Sequence, residues 1–203
     1  MIVFFNTKLH YEHIHSSEMV AMETISTVLS EGRVVVPSLN EANSLYNDGY
    51  GSMLEGSLLT LKPFEALYLV ERTRIAVVDE RRRSNMTFQE LLWEFSLTDS
   101  LIWTRYVIYR DLRSRGFIVK DGPGLGVDFL IYERGSHGKK PPKYMVYAVT
   151  EGIPEAIRHL GEILEAAKKD ERILRIAAMD RRGEIVYYTL SEVGFEEGAE
   201  KEN

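Results

Sequence analysis

YVIYRDLRSRGFIVKDGPGLGVDFLIYERG, residues 106–135, is the stretch whose reading decides the fold. Its first part continues TDSLIWTR, and Ile102, Tyr106, Ile108 or Tyr109, and Leu112 recur at helical spacing. Gly116 supplies the stop, because a residue without Cβ adopts the left-handed conformation that ends helices. FIVKDGPGLG then reads as a strand and a glycine-rich turn, and VDFLIYERG as a second strand. Downstream, KYMVYAV is a third strand, apolar enough to be covered on both faces. IPEAIRHLGEILEAAKKD is a helix with Ile153, Ala156, Ile157, Leu160, Ile163, Leu164 and Ala167 as its stripe. ILRIAAMD and EIVYYTL follow as a hairpin around Gly183. The order is helix, three strands, helix, two strands.

Upstream, the pattern is a small mixed α/β unit. IVFF (2–5) and RVVVP (33–37) are short β-rich runs, and Ser38 is placed to cap a helix over the residues that follow. Phe64, Leu67, Tyr68 and Val70 recur near helical spacing behind Pro63, and IAVVD (75–79) is a strand. Thr87 and Glu90 form a capping-box signature for a further helix. SLTDS (96–100) interrupts two helical patterns. The expected fold class is therefore α/β (α+β), with a mixed N-terminal domain over 1–97 and a second α/β domain over 98–203.

Composition narrows the function classes. Hydrophobic residues at 44% and charged residues at 28% suit a globular protein. No apolar run approaches the roughly 20 residues of a membrane span, and the first residues lack a basic leader region, so the expectation is no membrane. There is no cysteine, which excludes disulfides and thiolate metal sites; a cytoplasmic location is the default. Nucleic-acid binders draw affinity from phosphate neutralisation, yet the net charge here is −6. Positive charge is bunched instead: Arg81–Arg83; Arg110, Arg113 and Arg115; Lys139, Lys140 and Lys143; Arg181 and Arg182. Such clusters are solvated faces, or local patches for RNA.

Three chemical motifs can be weighed directly. GPGLG (122–126) follows a strand but precedes no helical pattern, so the helix N-terminus that would hold a pyrophosphate is missing. His10, His13 and His15 could approach a metal, but no carboxylate or cysteine completes a site, and a strand edge is the better account. Asp128 could open a magnesium-nuclease motif, but KYMVYAV carries no acidic residue beside a lysine. A metal-dependent DNA nuclease is thus the weakest of the readings, and no metal or cofactor is expected. From residue chemistry alone, no triad or acid–base pair emerges.

Tyr106, Tyr109, Leu112, Arg115, Gly116, Gly126, Asp128, Phe129 and Tyr132 together resemble the signature of the tRNA-splicing endonuclease (tRNA-intron endonuclease) family. The resemblance covers about residues 100 to 190, and FEALYLVERTRIAVVD fits the family's N-terminal half more loosely. It implies a restriction-endonuclease-like second domain and metal-independent RNA cleavage by a tyrosine, a histidine and a lysine. Such a tyrosine takes the proton of a ribose 2′-hydroxyl, the histidine protonates the leaving 5′-oxygen, and the lysine stabilises the phosphorane-like transition state. The products are a 2′,3′-cyclic phosphate and a 5′-hydroxyl. The tyrosine position is Tyr132. The histidine position, three residues before Tyr144, is Pro141, and the lysine position is Arg172. Proline has no proton to give, and arginine is not a conservative exchange for an ammonium.

The resemblance therefore implies a structural, non-catalytic subunit that joins a catalytic partner as a heterotetramer of two plus two on precursor tRNA. The alternative is a self-sufficient homo-oligomeric endonuclease in which Tyr132 works with His137, and Lys168 or Lys169 replaces the amine. RNA contacts are assigned to Arg110, Arg113, Lys139, Lys140 and Lys143. Subunit contacts are assigned to EIVYYTL, with Tyr187 and Tyr188, and to the DRRGE loop through Asp180 and Glu184; Arg181 and Arg182 depart from the family's acidic loop. The base-gripping arginine of the family is Glu165 here, and that role is not carried over.

Overall fold

The computed structural model describes residues 24–191 except 55–57, 125, 153 and 155. The IVFF run and the three N-terminal histidines lie outside the described residues. Eleven strands and five helices are described, in two sheets. The first half runs β1 (Ile25–Ser30), β2 (Arg33–Val36), α1 (Leu39–Asn47), β3 (Ser52–Met53), β4 (Leu59–Leu61), α2 (Pro63–Glu71), β5 (Ile75–Asp79), β6 (Ser84–Met86) and α3 (Phe88–Ser96). Its six strands are ordered β3-β4-β2-β1-β5-β6, with β1 and β5 parallel and the other pairs antiparallel.

The second half runs α4 (Ile102–Ser114), β7 (Ile118–Gly124), β8 (Val127–Tyr132), β9 (Tyr144–Thr150), α5 (Ile157–Lys169), β10 (Ile173–Met179) and β11 (Ile185–Leu190). Its sheet is ordered β11-β10-β9-β8-β7, with β9 and β10 parallel across the α5 crossover and β10–β11 a hairpin. The fold is the mixed α/β architecture expected from the sequence.

Local chemistry explains several boundaries. The Thr87 hydroxyl accepts from the Glu90 N–H while the Glu90 carboxylate accepts from the Thr87 N–H, closing the capping box at the head of α3. Ser38 occupies the N-cap of α1 but its side chain makes no cap hydrogen bond. Gly116, at φ +83°, stops α4 as its sequence position predicts. Between β7 and β8 the register shifts between Asp121 and Gly124, and a Cβ on Gly122 would meet the Val127 carbonyl oxygen at 1.9 Å. The glycine run is thus a close-approach bulge in a β-hairpin, not a phosphate cradle.

One buried cluster crosses from the first half to the second, including Leu29, Phe64, Leu67, Tyr109, Phe129 and Met179. Helices α2 and α4 meet at its centre, where the Phe64 ring lies 4.9 Å from Tyr109 and 5.1 Å from Phe129. A second cluster lies under α5, with Met145, Tyr147, Ile163, Ala167 and Leu174. Strand β9 is buried on both faces between the two, as its apolar run predicts. The stripe expected for α5 is corrected at its start. The helix begins at Ile157, and that side chain is 86% exposed, because burial is confined to later turns through Ile163 and Ala167.

Candidate functional site

Strand β8 sets the site through its pleat. Phe129 and Ile131 enter the core against α4, so their neighbours Leu130 and Tyr132 project to the opposite face. Tyr132 closes the strand, and the chain turns through Glu133–Lys140 before Lys143 N–H returns to the Ile131 carbonyl at 2.9 Å. That return brings His137 edge-on to Tyr132, with ring centroids 4.8 Å apart and planes at 86°. Of the expected catalytic positions, these two are the pair in direct ring contact.

The other two positions diverge from the family chemistry. Pro141 is exposed on the loop. Arg172 follows α5 at the foot of β10, where its guanidinium pairs with Asp170 at 2.9 Å and its Nε is buried without a hydrogen-bond partner among the described residues. Lys168 and Lys169 lie in the last turn of α5, and Lys168 pairs with Glu165 at 3.1 Å.

Lys120 is a residue the sequence reading missed. In β7 it pairs with Leu130, and antiparallel partners project to one face, so Lys120 shares the face of Tyr132. Its ammonium donates to the Gly51 carbonyl at 2.9 Å, and burial lowers its pKa from the usual lysine value. Period-two alternation between the two strands carried this signal, once their register was known. Burial, and then the positive charges of Lys120 and Arg113, lower the His137 pKa below its ordinary value. That shift works against holding the proton a general acid must donate.

The assigned basic residues differ in how far they are already engaged. Lys139 and Lys140 are exposed on the turn beside His137, and Lys143 pairs with Glu133. Arg110 pairs with Glu71 at 3.2 Å. Arg113 lies 4.2 Å over the Tyr50 ring and donates to the Asp48 carbonyl at 3.1 Å, tying α4 to the first half.

Asp128 is a linchpin of the hairpin and not a metal ligand. It is 8% exposed; one carboxylate oxygen accepts from Arg105 Nε at 2.8 Å and the other from the Ala148 N–H at 2.7 Å. Among the described residues, no group of three or more histidine, aspartate or glutamate side chains could hold a metal. Nor is any described helix long and apolar enough to cross a membrane.

At the far edge, β11 pairs, among the described residues, only with β10. Val186 and Tyr188 are exposed, whereas Tyr187 turns inward and donates to Asp111 at 2.8 Å. Burial and the neighbouring carboxylate raise the Tyr187 pKa well above the usual phenol value. In the β10–β11 turn, Asp180 accepts from the Arg182 and Glu184 N–H groups, both at 2.8 Å, while Arg182 bridges Asp180 and Glu184. The turn neutralises its own acid.

Comparison with known proteins gives a consistent result. The model of the tRNA intron endonuclease N-terminal domain matches residues 25–92, and that of the tRNA intron endonuclease catalytic C-terminal domain matches residues 102–187. The chain is 33% identical over 168 residues to a tRNA-splicing endonuclease of Methanococcus vannielii, covering 83% of this chain and 94% of that one. It is 32% identical over 168 residues to the tRNA-splicing endonuclease of Thermococcus kodakarensis, covering 82% and 97% respectively. A longer relative of the same name from Methanococcoides burtonii is 36% identical over 147 residues, 72% of this chain and 40% of that protein.

Proposed function

Because the chain belongs to the tRNA intron endonuclease family, we propose that it is the structural, non-catalytic subunit of a tRNA-splicing endonuclease. In this reading it assembles with a catalytic subunit, two plus two, and helps present the bulged exon–intron junctions of precursor tRNA. The partner then cleaves without metal, leaving a 2′,3′-cyclic phosphate and a 5′-hydroxyl. The observation that carries the proposal is Pro141 at the acid position, which no rotamer or protonation can convert into a proton donor. Supporting it, Arg172 is engaged by Asp170, and burial lowers the pKa of the histidine that contacts Tyr132. Exposed Val186 and Tyr188 on β11, whose outer edge is unpaired among the described residues, supply a surface for pairing with another chain. Lys139 and Lys140 supply the open positive charge for RNA. The location proposed is the cytoplasm, and the working units are residues 1–97 and 98–203.

The ring contact between Tyr132 and His137 favours a second reading, a homo-oligomer that cleaves alone. Incubating the purified chain with precursor tRNA in a chelator, alone and with a catalytic family member, separates the two. The structural role predicts cleavage only in the mixture. Cleavage by the chain alone that is abolished by His137→Ala would replace it with the second reading.

A further inference from the structure

On the α4 face of the second sheet lies an open cavity of about 190 Å³. The buried Ile131 and Val146, the half-buried Tyr144 and Tyr187, and the guanidiniums of Arg115 and Arg175 line it. Tyr132 follows Ile131 in β8, and successive strand residues project to opposite faces. The cavity and the Tyr132–His137 pair therefore lie back to back at one end of the sheet. Charge around the cavity is out of balance. Arg115 pairs with Asp111 at 2.8 Å, and Lys143, 5.5 Å from the Tyr144 ring, pairs with Glu133. Arg175 lies 5.2 Å from the same ring, and Arg134 donates to the Arg115 carbonyl at 3.1 Å. Neither of these two pairs with a carboxylate among the described residues. In a chain of net charge −6, two uncompensated guanidiniums thus stand beside an aromatic-walled cavity.

These features select a ligand. Buried aliphatic groups and two phenol rings favour a flat ring, and unpaired guanidiniums favour phosphate or carboxylate. Unpaired RNA joins both in every nucleotide, because its bases stack on aromatic side chains and guanidinium planes while each carries a phosphate. An acidic peptide supplies the charge but needs an aromatic residue at matched spacing to supply the ring. Apolar cavities of about 150 Å³ accept benzene, so this one has room for the six-membered ring of a base. We propose that the cavity is a subsite for one unpaired nucleobase of the RNA substrate, held against Tyr144 and Tyr187 with its phosphate on Arg175. The proposal rests on the reading of precursor tRNA as the substrate, and not on which subunit cleaves it.

Photocrosslinking tests it in the assembly of this chain with a catalytic family member. Precursor tRNA carrying 5-iodouracil, placed in turn at each unpaired junction position, should crosslink to Tyr144 or Tyr187, as mapped by mass spectrometry of the peptides. This map is read on the unsubstituted chain, so it decides the question whether or not a variant folds. With single-stranded RNA and the full chain, Arg175→Ala should reduce the slope of log affinity against log salt by about 0.7, the share of one phosphate contact. Arg175→Lys keeps the charge and should keep the slope, and Tyr144→Leu should weaken binding about tenfold. Cleavage of the precursor without crosslinks at either tyrosine overturns the subsite alone, as does an unchanged slope in a folded Arg175→Ala protein. Crosslinks that form with the isolated chain and vanish in the assembly overturn it too, and assign the cavity to the partner protein. An assembly that leaves the unmodified precursor uncut overturns the functional reading itself, and the subsite with it.

Discussion

Removing the Asp128 carboxylate should cost the protein about 2–3 kcal/mol, whereas replacing it by a carboxamide should cost under about 1 kcal/mol. The difference follows from what each change leaves behind. Asp128 joins three elements, being carried by β8 and accepting from Arg105 of α4 and from the Ala148 N–H of β9. Asp128→Ala strands that N–H in the sheet interior, and breaking a buried pair usually costs about 3–5 kcal/mol. The figure is discounted because Arg105 keeps Asp99 at 2.7 Å and stays 36% exposed. Asp128→Asn retains an acceptor for Ala148 and gives up only the Arg105 bond. Burial raises the Asp128 pKa from its ordinary value despite both bonds, so the ionised form is not favoured by the fold. A neutral isostere therefore loses little. Urea unfolding followed by circular dichroism measures both. With a slope of about 2 kcal/mol per molar, Asp128→Ala should lower the midpoint by roughly 1 M and Asp128→Asn by less than about 0.5 M. Equal midpoints for Asp128→Ala and the unsubstituted chain would refute the reasoning, and so would Asp128→Asn being as costly as Asp128→Ala.

Three further outcomes can be checked on the same transition. Tyr187→Phe removes the bond to Asp111 and should cost about 1–2 kcal/mol near neutrality. The folded Tyr187 pKa is raised, so its stabilisation is intact below the phenol's unfolded value and lost as pH rises above about 10; the variant should lose less stability than the parent across that range. Glu65 is buried beneath the Gly51 and Lys62 N–H groups, and desolvation raises its pKa from 4.5. Its contribution is present below the unfolded carboxylate value and declines as pH rises through the folded one. Glu65→Gln should therefore flatten the parent's pH dependence over the range just above pH 4.5, measured by thermal melts. Gly122→Ala forces a Cβ onto the Val127 carbonyl and should cost more than about 2 kcal/mol, whereas Gly135→Ala, with open space at its Cβ, should be destabilised only by its φ of +72°.

Much of this fold was legible because local and tertiary demands agree. Residues 106–135, the Thr87–Glu90 box and the IAVVD strand all carry the right period or cap, and the family resemblance rested on the same residues. Strand β1 escaped notice because Thr27 breaks the apolar pattern; its side chain is buried, its hydroxyl bonded to the Ala76 carbonyl at 3.1 Å. Strands β3 and β4 are too short to show a period. Arg113 reads as a surface cation because charge is visible in a sequence while the Tyr50 ring beneath it is not. Tyr187 and Tyr188 read alike, and only the alternation of β11 against α4 sends one inward to Asp111 and the other to solvent. The nearness of His137 to Tyr132 depends on how the β8–β9 loop returns, which no spacing encodes.

The most direct test of the structural role is single-turnover cleavage of precursor tRNA, in a chelator, by the mixed assembly carrying Tyr132→Phe and His137→Ala in this chain alone. The account predicts a rate unchanged within about twofold, since the partner supplies the chemistry. A fall of about 10²-fold or more, the size expected for losing a general acid or base, would contradict it and place catalysis in this chain.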